Sequence, residues 1–521
     1  MISTCTENTS VQKLPTSKLG FENSDTTLHH FLAPRIFQAQ FSYIHISLAY
    51  YSRWFTGAAS TNTKTLLMSN RNNSRRSFIR SAAGKAVVAA VTPSAFALAE
   101  TPKSILPTAQ TIGANERIRI AVLGINGRGM NHIEEVMALS KTSNVEVVAL
   151  SDPDMNILKQ RAAEFEKKYG KKIRIEQDFR KIYEDKDIDA VTLASPNHWH
   201  ALQTIWACQA GKDVYVEKPA THNIHEGKKM IEAAYKYNRI VQHGVQLRSS
   251  LAIREAVKHL EDGLIGKVYM SRGLVYRRRA DIGNKGISAV PAGLNYDLWC
   301  GPAPMRPFSR NLVHYNWHWH WNYGNGDVGN QGIHETDLCM WGLGLDHLPE
   351  RITSMGGKFL WDDCKEVPEV QTSIYHYPKE KKIIQFEVRH WNTNLEDGAG
   401  VGNIFYGEKG YMVIKGYGTY ETYLGEKREK GPSRTETGEL GLHFQNWFDA
   451  IRARDMSIQH GPVQTGHLSS ALAHLGNISY RLGRQLQFDP VAERFIGEGE
   501  GEANNMLSRE YRSPYLLPET V

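Results

Sequence analysis

The chain of 521 residues is 41% hydrophobic, yet no run reaches the roughly 20 consecutive apolar residues of a membrane span, so no membrane insertion is expected. Its formal charge of +7 invites a polyanionic partner, but residues 1–99 carry ten Lys and Arg against three Asp and Glu. From Glu100 onward the two signs balance, which argues against a nucleic-acid partner.

The leader comes first. Ser74-Arg-Arg-Ser-Phe-Ile-Arg80 is followed by a weakly apolar run, Ser81 to Thr92, and by small-residue sites at Ala95-Phe96-Ala97 and Ala97-Leu98-Ala99. This order resembles a twin-arginine (Tat) export signal over 68–99, cleaved after Ala97 or Ala99. The resemblance implies the Tat export machinery as a partner and a periplasmic or extracytoplasmic destination. Met68 stands where such a signal begins, so residues 1–67, rich in Ser, Thr and Asn and without periodicity, are expected to be an over-long gene start or a disordered extension. Five cysteines, Cys5, Cys208, Cys300, Cys339 and Cys364, show no paired spacing, so no disulfide scaffold is expected.

After a linker over 100–116, Arg117 to Leu123 reads as a buried strand running into the turn Gly124-Ile-Asn-Gly-Arg-Gly129 and a helix from Met130 to Leu139. Glycines between a strand and a helix let a pyrophosphate approach the positive helix end, which makes Gly124, Asn126, Gly127, Arg128 and Gly129 candidate cofactor contacts. The usual second glycine is Asn126 here, a residue that tolerates left-handed dihedrals. The next strand, Val145 to Ser151, ends at Asp152, where an acid can accept both adenosine ribose hydroxyls and repel a 2′-phosphate. This favours NAD over NADP; the competing reading is that Asp152 caps the following helix.

Helix 154–169, strand Ile188 to Leu193, helix 200–210, strand Val214 to Val216, helix 224–237 and strand Ile240 to Gly244 complete an α/β, doubly wound parallel sheet over 117–245. Pro219 ends the strand before it and fixes Lys218 at its carboxyl edge, where an ammonium can bond a substrate hydroxyl and steer its proton. Taken alone, a lysine there is more often a solvated charge.

Together, Gly124-x-x-Gly127-x-Gly129, Asp152, Ser195-Pro-Asn-His-Trp-His200 and Glu217-Lys218-Pro219 resemble the Gfo/Idh/MocA family of sugar oxidoreductases. The resemblance implies that Ser195, Pro196, Asn197 and His200 lie along the cofactor, with His200 opening a helix. It implies also that Glu217 orients the loop or the nicotinamide end and that Lys218 contacts substrate beside the nicotinamide.

From 246 to 490 the strands lengthen and helices no longer separate each pair, as in the α+β second domain of that family, with its large, mainly antiparallel sheet. The family supplies an aspartate and a histidine from a D-x-G-x-H segment; Gly332 and His334 match, but Asn330 holds the aspartate position and cannot act as a base. Proton handling would then rest on His334 and Lys218, with Asp337 orienting the imidazole. His318 and His320 alternate with Trp317, Trp319 and Trp321, so as a strand they would share a face. No third ligand stands at diagnostic spacing, and sugar stacking or core packing is the better reading. Trp319, Trp321, Arg389 and His467 are candidate substrate contacts; the density of Trp and Tyr here suits a carbohydrate, while for Arg389 and His467 an ordinary surface or packing role is at least as good a reading. The Glu/Gly-rich stretch within 491–521 reads as a flexible end.

An exported dehydrogenase has no pool of nicotinamide to exchange, so the cofactor is expected to stay bound. Three readings stay open. One is a sugar oxidoreductase. A second is a redox-neutral glycoside-cleaving enzyme resembling glycoside hydrolase family 109. The third is a non-catalytic sugar-binding protein, which Asn330 keeps in view. The family resemblance also implies a homo-oligomer.

Overall fold

The computed structural model describes residues 116–436 and 441–521. The expected export signal, the extension before it and nearly all of the expected linker lie outside these residues. The described part falls within one compact unit, Leu98–Val521.

Its first half alternates strictly: β1 (Ile118–Leu123), α1 (Arg128–Ala138), β2 (Val145–Ser151), α2 (Met155–Tyr169), β3 (Arg174–Glu176), α3 (Arg180–Glu184), β4 (Ala190–Leu193), α4 (Asn197–Gln209), β5 (Asp213–Val216), α5 (Ile224–Lys236) and β6 (Val241–His243). The strands pair in parallel in the order β3-β2-β1-β4-β5-β6. Helices cover both faces, so the central strands are largely apolar; Ile120, Val122, Val191, Val214 and Tyr215 are fully buried. The short, charged β3 and the five-residue α3 carry too little periodicity to be read from sequence. Pro196, with φ near −59°, precedes the first turn of α4, which therefore begins at Asn197. His200 consequently lies inside that first turn and does not open the helix.

A 3-10 turn (Gln246–Ser249) and α6 (Leu251–Glu261) lead to β7 (Val268–Tyr276), followed by a long segment whose regular parts are α7 (Tyr296–Cys300) and a 3-10 turn at Asn316–Trp319. Then come α8 (Gly332–Gly342), β8 (Arg351–Gly357), β9 (Val370–Tyr377), β10 (Lys382–Arg389), β11 (Val401–Gly407), β12 (Gly410–Lys415), β13 (Thr419–Leu424), β14 (Glu429–Thr435), α9 (Gly441–Ala453), α10 (Val463–Leu482), β15 (Leu486–Asp489), β16 (Arg494–Ile496) and α11 (Glu500–Asn505). These strands form a ten-stranded sheet in the order β14-β13-β12-β11-β7-β10-β9-β8-β15-β16, antiparallel except where β10 meets β7. Ile352, Tyr375, Ile384, Phe386 and Phe405 share a core with Ile333 and Leu338 of α8 and with Leu472 and Leu475 of α10. Enclosed on several sides, α8 is buried nearly all round, its polar His334, Glu335, Thr336 and Asp337 included.

Two expectations fail. Residues 316–319 form a 3-10 turn, so His318 and His320 do not share a strand face. The end of the chain is anchored, because Arg509, Tyr511, Arg512 and Tyr515 follow the Glu/Gly run. Tyr515 is buried, Arg509 Nη2 donates to the His198 carbonyl at 3.0 Å, and Arg512 pairs with Asp297 at 2.5 Å.

Candidate active site

Strand order reverses between β1 and β4, and a cavity of about 320 Å³ opens beyond their carboxyl ends. Gly124, Asn126, Gly127 and Arg128 line it, as do Asp152 after β2, the stretch Ser195 to Asn197 with His200, and Glu217 and Lys218 after β5. The segment between β7 and α8 covers it with Leu298, Trp299, His314, Tyr315, Trp317, His318 and Asn330.

The glycine turn suits a dinucleotide. A Cβ on Gly124, which takes φ +80°, would lie 2.5 Å from the Ser195 backbone nitrogen, and one on Gly129 would lie 2.2 Å from the Gly124 carbonyl oxygen. These two glycines let β1, α1 and the loop after β4 close up. A Cβ on Gly127 would meet nothing within 4 Å, and no side chain caps α1, so its first N–H groups are left for an anion. Gly124 carries the left-handed dihedral; Asn126 is not among the positive-φ residues, so the tolerance expected of it is not called upon.

Asp152 Oδ2 accepts from Ile125 N and Oδ1 from Asp154 N, both at 3.0 Å. It thereby ties the glycine turn to the end of β2. The cap of α2 is Asp154, which accepts from Asn156 N at 2.9 Å. Burial pushes the Asp152 carboxyl up to about 6, against the pull of the two backbone donors. Across the cavity Ser195 donates to Gln203 at 2.5 Å and Asn197 to Asn325 at 3.2 Å. Both ring nitrogens of His200 face carbonyls, of Pro219 at 2.6 Å and Ser195 at 2.7 Å, so His200 ties together the loops after β4 and β5.

Glu217 is buried, which alone would raise its carboxyl. Arg128 at 2.7 Å, with His132 at 3.1 Å, holds it well below the usual carboxylate range. Lys218 Nζ donates to Asn330 Oδ1 at 2.8 Å. Asn330 Nδ2 in turn donates to Asp327 Oδ1 at 3.0 Å, and the Arg279 guanidinium grips both Asp327 oxygens at 2.6 and 2.7 Å. His390 Nε2 lies 3.2 Å from the same carboxylate but off the hydrogen-bonding direction. The carboxylate missing at position 330 therefore stands one turn back, behind an amide. Asp327 fixes that amide's orientation and so turns Oδ1 toward the lysine. Burial lowers the Lys218 pKa from its ordinary value, against the opposing charge of Glu217.

Other expected residues are placed elsewhere. His334 does not line the cavity. Its ring meets Tyr417 edge-on, its Nδ1 is buried without a partner, and burial together with the Lys218 charge takes it down to about 3, so it is a neutral imidazole at physiological pH. Asp337 does not orient it, because Arg248 holds both Asp337 oxygens at 2.8 and 3.0 Å. Trp319 is 2% exposed, packed against His390 and under Arg279. Trp321 faces a different cavity; Arg389 lies among Glu387, Glu396 and Tyr276 on the large sheet; and His467 bonds Glu493 at 3.0 Å. Sequence reasoning passed over Asp327 and Arg279. It read His318 only as one of a histidine pair, although His318 lines the cavity with its ring stacked on Trp317 and its Nδ1 on the Tyr315 carbonyl at 2.6 Å. The one available signal was an aspartate in the glycine-rich Gly324-Asn-Gly-Asp327.

Residues 118–245 match the family model described as "Oxidoreductase family, NAD-binding Rossmann fold", and residues 255–393 and 435–517 match "Oxidoreductase family, C-terminal alpha/beta domain". Among curated proteins, levoglucosan dehydrogenase of Pseudarthrobacter phenanthrenivorans is 34% identical over 128 residues, 25% of this chain and 31% of that one. The scyllo-inositol 2-dehydrogenase (NAD(+)) of Bacillus subtilis is 30% identical over 157 residues, 30% of this chain and 44% of that one. These alignments thus span less than half of either relative. Among solved structures, the fold is similar to the WlbA dehydrogenase of Bordetella pertussis in complex with NADH and UDP-GlcNAcA (TM-score 0.54, 20% identity, 72% of this chain and 99% of that one). It is similar also to the aldose-aldose oxidoreductase of Caulobacter crescentus complexed with glycerol (TM-score 0.55, 18% identity, 72% and 100%). The two family models together match more than half of the chain, in the order in which the parallel sheet with its glycine turn and the large antiparallel sheet follow one another, and the protein belongs to the Gfo/Idh/MocA oxidoreductase family, with NAD as the cofactor of its Rossmann domain.

Proposed function

We propose that this protein is an exported oxidoreductase acting on a CH–OH group of a sugar or sugar derivative, with NAD held through turnover. The observation that carries the reading is Lys218 Nζ at the cofactor cavity, 2.8 Å from a neutral amide and not from a carboxylate. When bound, NAD supplies the acceptor and donor of a hydride. The chain's own residues manage the proton. Burial favours the uncharged amine of Lys218, Asn330 fixes its position through one hydrogen bond, and the remaining lone pair can take the proton of a substrate hydroxyl. His334, neutral and set back from the cavity, suits a hydrogen-bonding role better than proton uptake. Asp152, ionised for the most part at neutral pH, opposes a 2′-phosphate and so favours NAD over NADP. Levoglucosan, inositol and aldose activities in the names of the relatives support a polyhydroxylated substrate.

Retention of NAD is supported by the covering segment. Its backbone is bonded to the Rossmann domain beside Asp152, Met155 N to Gly293 O at 3.0 Å and Asn295 N to Pro153 O at 2.8 Å, and His314 Nε2 meets Asp154 at 3.1 Å. Release at the adenosine end would have to loosen these contacts. Export rests on the twin-arginine pattern at Arg75 and Arg76.

Denaturing the purified exported protein is expected to liberate stoichiometric nicotinamide cofactor. If none is released and none rebinds, the reading fails. A keto-sugar product supports oxidoreduction, whereas aglycone release from a chromogenic glycoside without net reduced cofactor would transfer the site to glycoside cleavage. Sugar binding with neither product would leave a binding protein. Arg75→Lys/Arg76→Lys is expected to leave the protein in the cytoplasm, and unchanged export would remove the Tat assignment.

A further inference from the structure

A second cavity, of about 330 Å³, is bordered by the loop that follows Lys218. One face of α10 contributes His474, Asn477, Ile478 and Arg481, spaced by three and four residues so that they line up along the helix. Trp321, Asn322 and Asn325 come from the segment before α8, His222 and Asn223 from the loop after Lys218, and Arg509 from the anchored chain end.

Three features of this lining point to one class of ligand. First, the Arg481 guanidinium lies 5.2 Å over the Trp321 ring and makes no hydrogen bond or ion pair with any described residue. Stacked in this way, it is held flat with its N–H edge free. The carboxylate that acts on it electrostatically, Glu366, is already taken by Arg306, the Trp321 backbone N–H and His320. Second, Arg509 spends its two terminal nitrogens on the Asn322 and His198 carbonyls, with Glu226 at 3.5 Å, and keeps a buried Nε without a partner. Glu510 is the single acid among the lining residues, against two guanidiniums. Third, apart from the Ser508 hydroxyl, the remaining polar lining is amide and imidazole, held in place by its own bonds. Asn477 Nδ2 donates to Asn325 O at 2.9 Å, Asn325 Nδ2 to His222 O at 3.2 Å, and His474 Nε2 lies 3.0 Å from the Thr221 hydroxyl. Fixed amides beside an indole suit vicinal hydroxyls, while the unpaired guanidinium of Arg481 suits an oxyanion.

We infer that this cavity is a binding site, separate from the cofactor cavity, for an anionic polyhydroxylated ligand, a sugar bearing a carboxylate, with Arg481 on the carboxylate and Trp321 and the amides on the sugar. The inference does not rest on the redox reading.

Titration calorimetry on the full chain with its cofactor, using D-glucuronate, D-glucose and inorganic phosphate as probes, tests it. Glucuronate is expected to bind more tightly than glucose or phosphate. Arg481→Met, at an exposed position that tolerates the change, should weaken glucuronate by roughly tenfold or more, the loss expected for a hydrogen bond to a charged group. Trp321→Leu should weaken glucuronate and spare phosphate, and Lys218→Met should change neither. Glucose binding as tightly as glucuronate would overturn the anion assignment, and phosphate doing so would overturn the sugar assignment. Failure of all three probes, or glucuronate binding that survives Arg481→Met or is lost with Lys218→Met, would overturn the site itself.

Discussion

The two walls of the cofactor cavity are built on different principles. The Rossmann wall works through its backbone: two glycines permit close approach, a third opens space, and an uncapped helix end offers N–H groups. The opposite wall works through side chains from distant positions: Asn330, Asp327, Arg279 and His318 converge because a long segment of little regular structure folds over the cleft. A backbone-built wall depends on a few local residues, so it survives the replacement of a family glycine by Asn126. A side-chain wall depends on partners, so replacement of the family aspartate by Asn330 is matched by a carboxylate elsewhere.

This contrast sets the order of effects. Lys218→Met should lower turnover by about 10²–10⁴-fold, the range for loss of a general base, while the denatured protein still releases a full complement of nicotinamide. Loss of the cofactor along with activity would show that the two walls are not separable. Next in size, Asp327→Ala strips a buried guanidinium of its partner and frees the Asn330 amide. A stability loss of about 3–5 kcal/mol in denaturant unfolding is expected, the cost of breaking a buried pair. A loss below about 1 kcal/mol, the range for exposed pairs, would show that the relay does not hold this wall together.

Asn330→Asp sharpens the comparison further. It sets a carboxylate against Lys218 while Arg279 already balances Asp327, so the variant is electrically complete only with the lysine protonated. The Lys218 pKa then rises. Because the base is the deprotonated amine, the acid limb of the oxidation profile should move to higher pH, by roughly one unit or more. An unmoved limb would take Lys218 out of the role of base.

The same division explains what the sequence disclosed. Strand β1, the glycine turn, Asp152 and Lys218 are legible because each sits at a fixed offset from a strand end, and local offsets survive folding. The ten-stranded sheet was legible as a class from its long, unpunctuated strands. The partners of those residues were not. Trp319, Trp321, Arg389 and His467 have the chemistry of sugar contacts, but whether such a side chain faces a cleft or a core is decided by chain far from it in sequence, as Arg481 is from Trp321 and Tyr276 from Arg389. Trp319 went to the core and Trp321 to the second cavity. Asp337 has the right spacing to support His334, yet Arg248, 89 positions earlier, claims both its oxygens. The Glu/Gly-rich end was judged by composition, and the four anchoring residues beyond it outweigh composition.

The smallest expected effect is the most direct test of a backbone-built wall. Asn126→Gly restores the family spacing and, if the side chain at that position bound the cofactor or strained the turn, should change NAD retention sharply. The structure shows no strain to relieve, and Asn126 lines the cavity with no hydrogen bond from its side chain to a described residue. Asn126 has no left-handed dihedral to relieve, the left-handed residue is Gly124, and Asn126 is held through its backbone carbonyl, which accepts from Arg161 at 2.9 Å. That carbonyl is kept in the variant. The cost should therefore come from the unfolded chain alone, about 0.4–1 kcal/mol of stability from added backbone freedom, with cofactor content unchanged. A marked gain or loss of bound nicotinamide would mean that the amide reaches the pyrophosphate, and the Rossmann wall would then share the side-chain logic of the wall opposite.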